Sequence, residues 1–330
     1  MNLKQKIAQM FITGYSGSDF KACPEFMTLL SSGLGGVIFF TQNIESKEQF
    51  KSQIDELKKC SQIPLFFSID QEGGRVERTE NIYKGKKYLS ARFAADKGED
   101  FLREQTKEML SELKNYGINM NFAPVLDVNT EAKNPIIGER AYSDNADEVI
   151  KYSKIVIDEY KNSGIIPVGK HFPGHGAAKN DSHLTLPQID LSFENLKNNH
   201  IRPFKSAIDI GLNAIMVAHV HYSSIDKENI PASLSKNAIQ NLLRNELGFK
   251  GIVISDDMVM GGVQSYTPFE ACKNAIEAGV NMFIYRNTDE SVLNLVSEVE
   301  NAVLNGKIDE RLIDFSISHI LDLKHNLSNN

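Results

Sequence analysis

Eight short apolar segments, each followed by a stretch of helical character, recur along this chain, and that recurrence limits its fold more than any other feature. They lie at residues 10–15 (MFITGY), 36–41 (GVIFFT), 64–70 (PLFFSID), 119–127 (NMNFAPVLD), 165–171, 214–219, 251–256 (GIVISD) and 280–285. Strands that are apolar on both faces belong in a parallel sheet covered by helices on each side. Eight such units favour a closed (β/α)8 TIM-like barrel of the α/β class over an open doubly wound sheet. Between them the spacing is helical, as with Phe101, Met109, Leu110 and Leu113 ahead of the fourth strand. Near the end, RLIDFSISHILDLK puts Ile313, Ile317 and Ile320 on one face of a closing helix. No proline-rich or low-complexity linker interrupts the pattern, so residues 1–330 are expected to form one catalytic barrel domain.

Composition narrows the function. A hydrophobic content of 41% suffices for a large core, and a net charge of −7 with no basic stripe argues against nucleic-acid or anionic-membrane partners. The three cysteines, Cys23, Cys60 and Cys272, are odd in number and far apart, which suits free, buried thiols in a reducing compartment. The opening MNLKQKIAQMFITGY lacks the apolar core of a signal peptide, and no stretch reaches the roughly 18 apolar residues of a membrane span. A cytoplasmic, monomeric protein acting on a small molecule is the expectation.

Barrel enzymes place their chemistry at the C-terminal ends of the strands. Polar residues collect there: Asp70, Asp127, Lys170 with His171, His219 with His221, and Asp256 with Asp257. The densest group is KHFPGHGAAKNDSHLTLP, residues 170–187. His171 and His175 have the i, i+4 spacing of a helical zinc pair, but Pro173 and Gly174 between them forbid that helix. If the segment around Asp181 and His183 is extended, both side chains point the same way. The carboxylate can then hold one imidazole nitrogen and leave the other for proton transfer. Of Asp256 and Asp257, alternation predicts that one faces the pocket, and pattern alone leaves open which; a helix N-cap is the bland role for Asp257. In SIDQEGGRVERTE, Asp70 is suited to sugar hydroxyls or a cation, and Gly73-Gly74 to a tight turn. Arg78 and Arg140 are surface residues by default, and the lysine- and glutamate-rich stretches 51–59 and 84–87 are solvated surface.

The strings IDQEGGRV, NFAPVLDV, GERAYS, KHFPGHG followed by DSH, AHV and ISDDM run nearly end to end and resemble family-3 glycoside hydrolases, specifically the single-domain β-N-acetylglucosaminidase branch. The resemblance implies that Asp256 is the nucleophile, His183 the general acid/base and Asp181 its dyad partner. It also implies that Asp70, Arg78, Arg140, Lys170 and His171 bind the terminal sugar, with no metal and no cofactor. Retention through a covalent glycosyl-enzyme follows from such a pair of groups. The 2-acetamido preference and a cell-wall-recycling substrate rest on the resemblance alone. The chain has no tryptophan, the best side chain for stacking on sugar rings, so a small pocket for one terminal sugar is expected. Three rivals share these residues: a phosphorylase on the same scaffold, a metal-dependent hydrolase using His171, His175 and His219, and a sugar-binding protein without turnover.

Overall fold

The computed structural model describes residues 1–328, and its centre is a parallel barrel. Its strands are β1 (Phe11–Thr13), β2 (Gly36–Phe39), β3 (Phe66–Ile69), β4 (Met120–Asn121), β5, β6 (Ala214–Val217), β7 (Ile252–Asp257) and β8 (Met282–Tyr285). β5 comes in two segments, Ile166–Pro167 and Gly169–Phe172, with only Val168 between them. The first segment pairs with β4 and the second with β6, so the order β5-β4-β3-β2-β1-β8-β7-β6 returns to β5 and the barrel closes. Each of the eight expected segments supplies one strand.

The strands form where they do because both of their faces are buried: β1, β2, β3, β6 and β8 expose no residue. β4 is shorter than the expected 119–127. Pro124 has no N–H to give a ladder, and the ladder continues only irregularly, through Leu126 N–H to Lys170 O at 2.6 Å and Lys170 N–H to Pro124 O at 3.1 Å. Buried asparagine side chains fill the gap. The Asn121 carboxamide accepts from Gln71 N–H at 3.0 Å and donates to Gln71 O at 2.9 Å, which satisfies backbone that the short strand leaves unpaired.

Helices cover the barrel. The closing helix is Glu310–Ser328, with Ile313, Ile317 and Ile320 buried as the spacing predicts. In the helix Glu99–Tyr116 the inward face is Leu102, Met109, Leu110 and Leu113; Phe101 turns outward and is 41% exposed, because Leu102 rather than its neighbour shares the 3.6-residue stripe. All three cysteines are free, but only Cys272 is buried, since Cys60 ends a surface helix. Among the described residues no helix is long and apolar enough to cross a membrane.

Candidate active site

A cavity of about 220 Å³ opens at the C-terminal ends of the strands. Asp70, Arg78, Arg140, Lys170, His171, His183, Asp256 and Asp257 all line it. Asp181 stands behind His183 instead of on the wall.

Its floor is a buried charge network. Lys170, fully enclosed, places Nζ 2.7 Å from Asp70 Oδ1 and 2.6 Å from Glu72 Oε1. Arg140 grips the same Glu72 with two parallel bonds, Nε to Oε2 and Nη2 to Oε1, each 2.8 Å. Burial works to raise the Glu72 pKa, but Arg140 and Lys170 outweigh it and hold the carboxyl well below the usual range. Glu72 therefore carries a fixed negative charge that arranges two cations beneath the cavity. It sits in the QEGG string two residues after Asp70, and that spacing was the signal that could have placed both on one side.

The Gly73-Gly74 turn folds the chain back on itself. Both glycines have positive φ, 94° and 60°, and Glu72 N–H then bonds Val76 O at 2.9 Å. Arg78 returns beside Asp70, its Nη2 3.7 Å from Oδ2, with its own N–H held by Gln71 Oε1 at 2.8 Å.

Asp127 is a positioning residue that the sequence marks only as polar. Its carboxylate accepts from His171 Nδ1 at 2.7 Å and from His175 N–H at 2.6 Å. Burial pushes its pKa up, but the His171 ring and the His175 contacts outweigh this and lower it. With Nδ1 donating, His171 Nε2 accepts from Arg140 Nη2 at 3.3 Å, so the ring is locked from both sides. His175 binds Ser182 Oγ at 2.8 Å through Nε2, and burial depresses its pKa to about 4, so it is neutral.

Asp181 and His183 meet, though not across an extended segment. Residues 182–184 form a turn in which Asp181 Oδ1 accepts both His183 N–H at 2.7 Å and His183 Nδ1 at 2.8 Å. His183 is about half exposed, at 49%, and its Nε2 is left for chemistry. The turn is docked by its backbone on the loop after β7: Gly261 N–H donates to His183 O at 3.1 Å and Gly262 N–H to Ser182 O at 3.0 Å. A Cβ on Gly261 would lie 2.4 Å from the Leu184 carbonyl carbon, so only glycine permits the approach.

Both aspartates after Ser255 line the cavity, contrary to simple alternation. Three steps along β7, Ile254 to Asp257, face two along β8, Met282 to Ile284, and this bulge resets the side-chain direction. Asp257 is not a helix cap, since the next α-helix starts at Pro268; it pairs with Arg286 and accepts from Val259 N–H at 3.2 Å. Asp256 is half-buried and accepts from Asp257 N–H at 2.8 Å. Burial acts to raise its pKa, but His171, His219, that N–H and Lys170 together hold it below the ordinary carboxylate value, so it is ionised at neutral pH.

His219 and His221 do not reach the cavity. His219 bonds Ser233 Oγ at 2.7 Å and Asp257 O at 3.1 Å, and His221 lies in a two-stranded pairing of Gln188–Ile189 with His221–Tyr222. Among the described residues no group of three His, Cys, Asp or Glu side chains is arranged to hold a metal ion.

Known proteins share this architecture. Over 332 residues the chain is 30% identical to Beta-hexosaminidase A of Pseudoalteromonas piscicida, covering 92% of this chain and 55% of that protein. It is 33% identical to a Beta-hexosaminidase of Tolumonas auensis over 271 residues, 81% of this chain and 80% of the other. A solved family 3 β-N-acetylglucosaminidase from Paenibacillus sp. superimposes with a TM-score of 0.93 at 34% identity, over 99% of this chain and 63% of that one. The chain thus spans little more than half the length of some of its relatives. The model of the glycosyl hydrolase family 3 N-terminal domain matches residues 2–323, and with a closed barrel carrying these residues at its C-terminal mouth, the chain belongs to that family.

Proposed function

We propose that the chain is a retaining exo-β-N-acetylglucosaminidase. The observation that carries the proposal is one cavity walled by an ionised Asp256 and rimmed by His183, whose Nδ1 is held 2.8 Å from Asp181. In the first step an Asp256 oxygen attacks the anomeric carbon. The glycosidic bond breaks, and its oxygen takes the proton from Nε2 of a doubly protonated His183, so the leaving group departs as an alcohol. In the second step His183, now neutral, takes a proton from water as that oxygen attacks the same carbon and Asp256 is released, giving net retention. Asp181 fixes the ring and stabilises the imidazolium.

Asp70, Arg78, Arg140, Lys170 and His171 bind the terminal sugar on this reading. All of the assigned groups come from loops and strand ends of the one barrel, which favours a single catalytic domain. The 2-acetamido preference is supported by the names of the relatives, and a cell-wall-derived substrate met in the cytoplasm by the motif resemblance.

The test is release of 4-nitrophenol from its β-N-acetylglucosaminide, with and without phosphate, by wild type and Asp256→Ala. Free N-acetylglucosamine at equal rates in both buffers, reduced by at least about 10³-fold in the variant, is the expected result. Sugar 1-phosphate at a phosphate-dependent rate would make the protein a phosphorylase. No release by wild type would end the glycosidase reading.

A further inference from the structure

β6 and β7 run parallel in a register that sets Ile252 beside Ala214 and Ser255 beside Val217. Two residues further on, the same register brings Asp257 level with His219. The main-chain ladder between the two strands ends at Ser255 and Val217. Beyond it, Ala218 N–H bonds Phe172 O of β5 at 2.8 Å, and β7 bulges on its other edge, against β8. The strand end that carries Asp256 thus passes beyond its backbone pairing with β6.

A side chain takes over where the ladder stops. His219 is fully buried, and its Nε2 lies 3.1 Å from Asp257 O. A carbonyl oxygen only accepts, so Nε2 carries a proton. Burial lowers the His219 pKa and disfavours a second proton, so Nδ1, 2.7 Å from Ser233 Oγ, accepts from that hydroxyl. Ser233 is itself tied down, its N–H bonding Ala218 O at 3.2 Å. Gly262 closes over the root of the ring, since a Cβ there would lie 2.6 Å from His219 Cβ. Tautomer and orientation are fixed together.

The His219 bond does more than satisfy a buried carbonyl, because Met260 N–H already reaches Asp257 O at 3.0 Å. Met258 N–H bonds Ile284 O at 2.9 Å, so the peptide joining Asp257 to Met258 is held from both sides, by β6 through the ring and by β8 through the backbone. The preceding peptide supplies the Asp257 N–H that donates to Asp256 Oδ1 at 2.8 Å. Only φ and ψ of Asp257 separate these two planes, so holding the one limits the other and the carboxylate it supports.

We propose that His219 is a positioning residue that aims the Asp256 carboxylate at the anomeric carbon, acting through the Asp257 carbonyl. It stays outside the cavity lining. The inference rests on the glycosidase reading and names a further group on which the attack step depends.

Two substitutions separate the bond from the bulk of the ring. His219→Gln can place an amide N–H where Nε2 stands, whereas His219→Asn reaches Ser233 but falls short of Asp257 O. On 4-nitrophenyl β-N-acetylglucosaminide, His219→Asn should lower kcat by on the order of 100-fold, the cost of a misplacement of about 1 Å. His219→Gln should recover most of that loss. Both variants should bind N-acetylglucosamine in calorimetry as wild type does, since the Asp70, Arg140 and Lys170 side is untouched. The 2,4-dinitrophenyl glycoside, whose leaving group departs without protonation, should be slowed equally, because the fault lies in the attack. Equal losses of kcat in the two variants, or a loss of N-acetylglucosamine binding, would mean that the ring only fills space and would overturn the assignment. Recovery of the wild-type rate with the dinitrophenyl glycoside would move the effect to His183 and overturn it as well. If His219→Asn does not fold, Ser233→Ala, which keeps the ring but removes the donor to Nδ1, should lower kcat less and leave binding unchanged; wild-type kcat there would overturn the proposal. No release by wild type ends the glycosidase reading, whereas an active wild type with unchanged kcat in His219→Asn ends only the role of His219.

Discussion

Glu72 has two cations within 2.8 Å, and its removal isolates them. Glu72→Gln keeps the shape but leaves Lys170 and Arg140 buried with Asp70 as the nearest remaining acid at the Lys170 end. Breaking one partner out of a buried pair costs about 3–5 kcal/mol, and a loss of that size is expected in urea denaturation, together with impaired sugar binding. A loss under about 1 kcal/mol would show that water screens the cluster. His175 sets a pH dependence. Its folded pKa of about 4 lies below the unfolded value of about 6.5, so between these values the unfolded chain binds the extra proton. Its contribution is complete above pH 6.5 and is lost as pH falls to about 4, a span worth about 3 kcal/mol. Denaturation midpoints measured across that window should fall with pH, less steeply in His175→Gln. Asp127 and Glu72, both depressed, add a further loss only below about pH 4.

The element that matters most is the turn carrying Asp181 and His183. The segment leading into it is held by Asp127 on His175 N–H, the His175 ring holds Ser182, and the Gly262 and Gly261 N–H groups hold the Ser182 and His183 carbonyls. Gly261→Ala pushes a methyl against the Leu184 carbonyl and should dislodge the turn without touching the reacting groups. An imidazole misplaced by about 1 Å costs on the order of 100-fold, so kcat/KM should fall by about that factor while the melting temperature moves little. Unchanged kinetics would mean that the turn positions itself without the β7 loop. Asp181 and His183 were legible as a pair from their spacing and the density of histidine around them. The turn that joins them was not, because an extended segment and a turn can both bring residues two apart together.

At the scale of the molecule, the closed barrel leaves one mouth for chemistry, and the cavity there, about 220 Å³, falls below the about 300–1,000 Å³ of pockets for drug-sized ligands. A space of that size with no tryptophan beside it suits a single terminal sugar. Chitotetraose should therefore yield N-acetylglucosamine and the trisaccharide as first products in a chromatographic time course. Early chitobiose would refute exo action.

Apolar segments of six to nine residues, repeated eight times with helical stretches between, pointed to a parallel sheet covered on both faces, and their number favoured a closed barrel over an open sheet. The same repetition pointed to the strand ends as the place for chemistry, and the motif resemblance implied Asp256 over Asp257 as the nucleophile. Tertiary structure alone decided what those groups feel. Glu72 reads in the sequence as one more acid near a glycine turn, and becomes the anchor of the site only because β5 brings Lys170 beneath it and the loop after β4 brings Arg140 to its side. The bulge in β7 that turns both aspartates into the cavity, and the His219 bond that holds it, likewise depend on partners far along the chain. Local pattern is set by neighbours a few residues away; charge, burial and register are set by neighbours tens of residues away or more, and these become adjacent only when the barrel closes.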